Sequence, residues 1–231
     1  MRLVLLGAPG AGKGTQCKHI AAQYGLLHLS SGDILRRERA AGTKLGKKAQ
    51  SFMDSGALVP DGIILEMMTK AIKKAPAAGF ILDGFPRTVN QAVELDKSLA
   101  VNNRKLDAVL NLKIDDGIVA KRMTGRRSCP QCGAVYHIEN LKPKIDGLCD
   151  NDGAKLVQRS DDSPEVVANR LKTYHQQTEP LVDYYKNNGT PVRDGQCHIF
   201  DIDADREPNQ VSDLIFEKLD DLAIRLRRIK M

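Results

Sequence analysis

The stretch Gly7-Ala8-Pro9-Gly10-Ala11-Gly12-Lys13-Gly14-Thr15 decides how the rest of the chain is read. Just before it, Leu3-Val4-Leu5-Leu6 is apolar for long enough to make one buried strand and too short for a helix. Just after it, Gln16 to Ala22 holds good helix formers with no breaker until Gly25. Strand, glycine-rich turn and helix is the setting in which a loop binds phosphate. Gly7, Gly10, Gly12 and Gly14 allow backbone N–H groups to turn inward and approach an anion. The helix N-terminus adds a partial positive charge, and Lys13 adds a full one. Gly14 stands where such loops usually carry Ser or Thr, ahead of Thr15. The phosphate cradle survives that change, while a direct hydroxyl–magnesium bond is less strongly indicated.

Working outward, Leu26 to Leu29 reads as a second strand, and Ser30-Ser31-Gly32-Asp33 is a helix-start signal. Helices are predicted over about 34–41 and 43–54, broken at Gly42 and stopped by Gly56, and from Asp61 to Lys74. Phe80-Ile81-Leu82 is a buried strand ending on Asp83, and Thr88 to Leu99 is helical. Ala108 to Leu112 is a strand, and Asp115 opens a helix to about Thr124. Between Gly125 and Asp162 the cysteines, prolines, glycines and short alternating runs predict a small β-rich insertion. Ser163 and Pro164 start a long helix to about Asn187; a strand near 198–202 and a helix from Pro208 follow. Strands alternating with helices predict an α/β fold, a parallel sheet covered on both faces.

The 231 residues can bury a large core, built mostly from Leu, Ile, Val and Ala since Trp is absent. A net charge of +6 favours anionic partners. Acidic residues are nevertheless spread throughout, and the basic run Arg225–Lys230 reads as a solvated helix face. No run is long and apolar enough for a membrane span, and the first apolar run is too short for a signal-peptide core. Three clustered cysteines out of five argue for metal rather than disulfides, hence a cytoplasmic enzyme. Cys17 and Cys197 read as packing residues.

Asp83-Gly84-Phe85-Pro86-Arg87-Thr88 is the first charged constellation, with Gln91 one helical turn on. An Asp at the carboxyl end of a buried strand sits where doubly wound sheets bind ligands, and beside a phosphate loop it suits a magnesium network. Arg87 suits a phosphate grip through two parallel hydrogen bonds, and Gln91 offers the donor and acceptor needed to read a base edge.

Cys129-Pro-Gln-Cys132 and Cys149-Asp-Asn-Asp152, spaced C-x2-C-x16-C-x2-D, fit a closed tetrahedral zinc site with no open position. That makes the metal structural. Asp150 is a competing oxygen donor, and His137 fits lid packing or substrate contact better than ligation.

The loop at residue 7, Ser31-Gly32-Asp33 with Arg36, Asp83 to Arg87, Gly125-Arg126-Arg127 and Arg159-Ser-Asp161-Asp162 together resemble adenylate kinase of the long, zinc-carrying bacterial type. The resemblance covers about residues 1–190. It implies a phosphate-loop nucleoside-monophosphate-kinase fold with a core at 1–29, 60–124 and 163–231. It also implies an AMP-binding segment at 30–59 and a lid at 125–162. For ATP it implies Gly10, Ala11, Gly12, Lys13, Gly14 and Thr15, covered by Arg126 and Val135-Tyr136, with Arg122 and the Arg206 backbone near the adenine. For AMP it implies Ser31, Arg36, Ala57, Leu58, Val59, Gly84, Phe85, Pro86, Arg87 and Gln91. Arg159 and Arg170 would close on the transferring phosphate, so Lys13, Arg36, Arg87, Arg126, Arg159 and Arg170 form the catalytic set. The lid segment Glu139 to Lys144 departs from the family's usual Asn-Pro-Pro-Lys.

The activity this implies is reversible transfer from magnesium-ATP to AMP, giving two ADP, by a monomer with no nucleic-acid or membrane partner. Two other readings stay open: a GTP-dependent AMP kinase, and a zinc-ribbon NTPase that binds nucleic acid. The second is opposed by an insertion whose one aromatic residue is Tyr136.

Overall fold

The computed structural model describes residues 1–187 and 198–228, so Cys197 lies outside the described residues, as does the basic run beyond Arg228. The strands are β1 Arg2–Gly7, β2 Leu27–Ser30, β3 Phe80–Asp83, β4 Ala108–Lys113, β5 Arg126–Ser128, β6 Val135–His137 and β7 Ile199–Asp203. The helices are α1 Lys13–Tyr24, α2 Ser31–Ala40, α3 Lys44–Ser55, α4 Asp61–Ile72, α5 Val89–Ala100, α6 Asp116–Thr124, α7 Pro164–Thr173, α8 Pro180–Asn187 and α9 Pro208–Arg228.

Among the described residues, five strands pair in parallel in the order β2-β3-β1-β4-β7. Strand alternation sorts the core into two layers. Val4, Leu6, Phe80, Leu82 and Val109 pack on one face with Leu95, Leu181 and Tyr185 of the helices. Leu3, Leu5, Ile81 and Leu110 pack on the other with Cys17, Ile20, Ile215 and Leu219. The apolar runs of the strands are needed because both faces are covered. The chain winds to the β2 edge first and to the β7 edge later. The crevice therefore opens at the carboxyl ends of the central strands, where β1 delivers Gly7 and β3 delivers Asp83.

Side-chain caps set the helix starts. Ser30 accepts from Asp33 N–H, Thr43 from Gly46, Thr88 from Gln91, Asp115 from Gly117 and Ser163 from Val166. The 125–162 insertion is a small β unit: β5 and β6 pair antiparallel, with further bridges at Ser128–Val157 and Leu148–Lys155.

The long helix expected from Pro164 to Asn187 is not uniform. Tyr174–Thr178 forms a π turn, with Glu179 N–H donating to Tyr174 C=O at 2.9 Å. Pro180 supplies the reason, since it has no N–H to continue the ladder and its ring crowds the carbonyl four residues back.

Helices α2 and α3 approach each other closely at a glycine. A Cβ placed on Gly46 would lie 2.3 Å from the Glu38 carbonyl oxygen and 2.5 Å from Arg39 N. Gly46→Ala must push the two helix backbones apart. Overpacking of this kind costs about 1–3 kcal/mol, and a chain of this size loses about 2–4 °C of Tm per kcal/mol. Thermal unfolding of the variant should show a drop of several degrees.

Candidate active site

Gly7 to Gly12 form the loop and Lys13 opens α1. Gly10 has φ +82°, and a Cβ there would meet Met123 Cγ at 2.7 Å, so the loop is seated directly against α6. Lys13 Nζ donates to the carbonyls of Gly7 and Ala8 at 2.8 and 2.7 Å, folding back over its own loop. Its ammonium is lowered to about 8, by burial first, with Asp83 opposing and Arg87 and Arg170 adding to the depression.

Asp83 is buried opposite the loop, its Oδ2 3.5 Å from where a Gly14 Cβ would stand and 3.3 Å from His28 Nε2. Burial pulls its carboxyl up. The His28 hydrogen bond and the Lys13 charge outweigh that and hold it below the usual range, so it is ionised. His28 is a site neighbour that the sequence reading missed. It stands two residues before Ser30 on β2, a ring nitrogen between Leu27 and Leu29. Cys17 is fully buried, as its helix face implied, and its thiol lies within 4.8 Å of the His28 and Asp83 donors.

Beside the loop, a pocket is lined by Ser31, Arg36, Leu58, Val59, Arg87 and Gln91, and Ala57 and Gly84 also border it. Ser31 Oγ donates to Gly84 C=O at 2.6 Å, and Arg87 Nε donates to the same carbonyl at 2.8 Å. Gly84 has φ +69°, and a Cβ there would press on Arg87 NH2 at 2.9 Å and Ser31 Oγ at 3.0 Å. Phe85 is buried in the core beneath, joined to Pro86 by a cis peptide. Arg36 pairs with Asp33 at 2.6 Å.

From the far side, Arg126 forks onto the fully buried Asp162, and Arg170 pairs with Asp161 at 2.6 Å and reaches Asp162 at 3.6 Å. Arg159 donates to Ser128 Oγ at 2.9 Å. Arg159 and Arg170 are each lowered to about 10, by burial first, with Arg126 and Arg36 adding to it for Arg159, and with Arg126 and Arg87 adding to it for Arg170 against the raising charge of Asp161. Burial likewise lowers Arg87. Asp161 is held below the usual carboxylate range: burial would raise it, and Arg170 and Arg126 prevail. The cations thus converge from α2, the turn after β3, β5 and α7, and the aspartates occupy the role of an anion among them.

Arg122 donates to the carbonyls of Ala204 and Arg206 at 3.0 and 3.4 Å, which brings Arg122 and Arg206, both predicted, together. The Tyr136 ring turns instead into the insertion's own small core with Cys129, Cys149 and Leu156, and its hydroxyl accepts from Asp150 N–H at 2.8 Å. Val135 beside it is half-buried. His137 packs over Gly125, its Nδ1 accepting from the Glu139 and Asn140 N–H groups.

Cys129, Cys132, Cys149 and Asp152 bring one donor atom each to within 4.8 Å of one another. Cys132 and Cys149 sulfurs are 3.5 Å apart, and Cys129 Sγ lies 3.3 Å from Asp152 Oδ2. Tetrahedral zinc with bonds of about 2.3 Å needs ligand atoms about 3.5–3.8 Å apart. Each half is a tight turn, Gly133 N–H donating to Cys129 C=O and Gly153 N–H to Cys149 C=O. The donors therefore fit zinc in geometry and in softness. Asp150 is turned away, accepting from Lys144 N–H at 2.8 Å.

Cations held ready on both sides of a phosphate cradle suit transfer between phosphates, which depends on positioning and charge more than on a nucleophile. They place the chain in the class of phosphate-loop phosphotransferases. A family model described as adenylate kinase matches residues 5–190. An adenylate kinase of Caldicellulosiruptor saccharolyticus is 50% identical over 193 residues, covering 83% of this chain and 90% of the relative. Those of Lachnospira eligens and Archaeoglobus fulgidus are 49% and 46% identical, covering 82% and 90% of this chain and 89% and 92% of theirs. The chain belongs to the adenylate kinase family.

The depressed Lys13 has a measurable consequence. A polyphosphate on the loop favours its charged form, so between pH about 8 and the ordinary 10.5 binding takes up a proton and affinity falls as pH rises. Calorimetry of ATP binding at about pH 9, in buffers of different ionisation enthalpy, should show this uptake. Lys13→Met should abolish it.

Proposed function

We propose that the chain transfers the terminal phosphoryl group of ATP reversibly to AMP, giving two ADP and balancing the adenine nucleotide pool. The observation that carries this reading is the adjacency of two anion sites: the Lys13 loop, and the Ser31–Gln91 pocket with Arg36, whose Arg87 and Arg170 also act on Lys13. The GTP-dependent and nucleic-acid-binding alternatives are not favoured.

Gly10 to Thr15 amides and Lys13 hold the ATP phosphates in this reading. Arg126 and Val135-Tyr136 of the lid cover them, and Arg122 with the Arg206 backbone meets the adenine. Ser31, Arg36, Ala57 to Val59, Gly84 to Arg87 and Gln91 hold AMP. Arg159 and Arg170 close on the moving phosphoryl group, exchanging their protein partners for its oxygens. Nucleotide charge relieves the mutual repulsion that burial imposes on these cations. Closure of 125–162 and 30–59 over the core would exclude water, whose attack is the competing reaction. Magnesium, used with ATP by adenylate kinases, supplies charge neutralisation on the phosphates, and the ionised Asp83 facing Gly14 is the residue that would anchor its network. Zinc on Cys129, Cys132, Cys149 and Asp152 would hold the lid together outside the chemistry.

No helix among the described residues is long and apolar enough to cross a membrane, and the described cysteines are unpaired. In this reading the protein works as a monomer in the cytoplasm.

Acceptor profiling of the purified protein tests the reading. AMP should exceed CMP and UMP by roughly ten- to hundred-fold in kcat/KM, since a wrong base leaves Ser31 or Gln91 groups unpaired at about 1–3 kcal/mol each. Similar values for AMP and CMP would overturn it.

Chelation should lower the melting temperature, because a unit of about forty residues with so small a core depends on its metal. At low temperature the metal-free protein should still transfer phosphoryl groups at a reduced but comparable rate. Metal analysis, melting and kinetics on one sample decide whether the site is occupied and structural.

A further inference from the structure

Asp61, the first residue of α4, carries no more than a helix-start signal in the sequence, yet it is the hub of the acceptor pocket's back wall. Its Oδ1 accepts from Gln91 Nε2 at 2.7 Å. Its Oδ2 accepts from Thr88 Oγ1 at 3.0 Å and Asn90 Nδ2 at 2.9 Å. On the other side of the same amide, Gln91 Oε1 accepts from the Arg87 backbone N–H at 2.8 Å. Gln91 is 1% exposed, so its side chain has no solvent to turn into.

The two clamps are chemically one-way. A carboxylate has acceptors alone, and a backbone N–H is a donor alone. Turning the amide over would set Oε1 against the Asp61 carboxylate and Nε2 against the Arg87 N–H, a mismatch at both ends in a buried place. One N–H and one oxygen lone-pair direction of Gln91 remain for a ligand, in a fixed order. A 6-amino purine presents an acceptor at N1 and a donor at N6, which this order satisfies. A 6-oxo purine presents N1–H and a carbonyl, which needs the forbidden orientation.

We propose that Asp61 is a positioning residue that fixes the Gln91 amide and so makes the acceptor pocket choose 6-amino over 6-oxo purines. This rests on the reading of Gln91 as the residue facing the acceptor base.

The test compares kcat/KM for AMP and IMP, with ATP as donor, in the wild type, Asp61→Asn, Asp61→Ala and Gln91→Leu, each confirmed folded by thermal melting. In Asp61→Asn the new amide can rotate to donate to a turned Gln91. In Asp61→Ala the methyl group imposes no order, so either variant suffices if the other fails to fold. The AMP:IMP ratio should fall about tenfold or more in the Asp61 variants, the size of one buried hydrogen-bond mismatch. The loss should appear in the acceptor KM, with the ATP KM unmoved, a pattern that general destabilisation would not give. A wild-type ratio in folded Asp61 variants, with the ratio lost in Gln91→Leu, overturns the role of Asp61 and leaves the base reading standing. A wild-type ratio in Gln91→Leu overturns the base reading itself.

Discussion

The parallel pairing of β1 with β3, Leu5 opposite Asp83, is the constraint on which the site depends. It fixes the phosphate loop and the acidic residue as neighbours at one end of the sheet before any helix is considered. A slip by one residue would exchange the two apolar layers and carry Asp83 out of reach of Gly14. The sheet is therefore both the core and the ruler of the chemistry. Helices α1 and α5 both start beyond its carboxyl end, α1 with Lys13 and α5 with Gln91 in their first turns.

The second organising fact is electrostatic. Lys13, Arg87, Arg159 and Arg170 are each depressed by burial first and by a neighbouring cation second, and the charges of Asp83, Asp161 and Asp162 oppose that depression. A buried cation with a substitute anion is more costly than one with its proper ligand, so the free protein is poised to take up phosphate. The same pairs keep the arginines at fixed positions, which is the preorganisation that phosphoryl transfer requires.

Much of this is legible because it is local in sequence. The loop at residue 7, the Asp83–Arg87 turn, the caps and each half of the Cys129, Cys132, Cys149 and Asp152 cluster are defined by residues a few positions apart, where geometry follows from spacing. What escapes such a reading is non-local. Asp61 lies thirty positions before Gln91 and gains its role by a contact between α4 and α5. His28 acquires its partner across the sheet from another strand. Asp161 and Asp162 stand in plain sight, yet their work as occupants of an anion site appears once Arg126 and Arg170 fold around them. The Tyr136 ring goes inward because a unit with so few apolar residues draws its one aromatic into the core. The π turn is different in kind: Pro180 announces a disturbance, and its form depends on how the helix can relax around it.

That turn has a geometric consequence of its own. In an α-helix each residue advances the side chain by about 100°, so one residue gained within a turn rephases everything after it. Before the turn, the chain presents Val167 and Arg170 toward α6 and the phosphate cluster; after it, Leu181 and Tyr185 enter the layer under the sheet. The step from Arg170 to Leu181 amounts to about three whole α-turns, which in an unbroken helix would point both the same way. The π turn acts as a gear change in one continuous rod, letting a single stretch of chain face two different neighbours. Thr178, inside it, donates to the Arg87 carbonyl at 2.9 Å, so the gear is also bolted to the turn after β3.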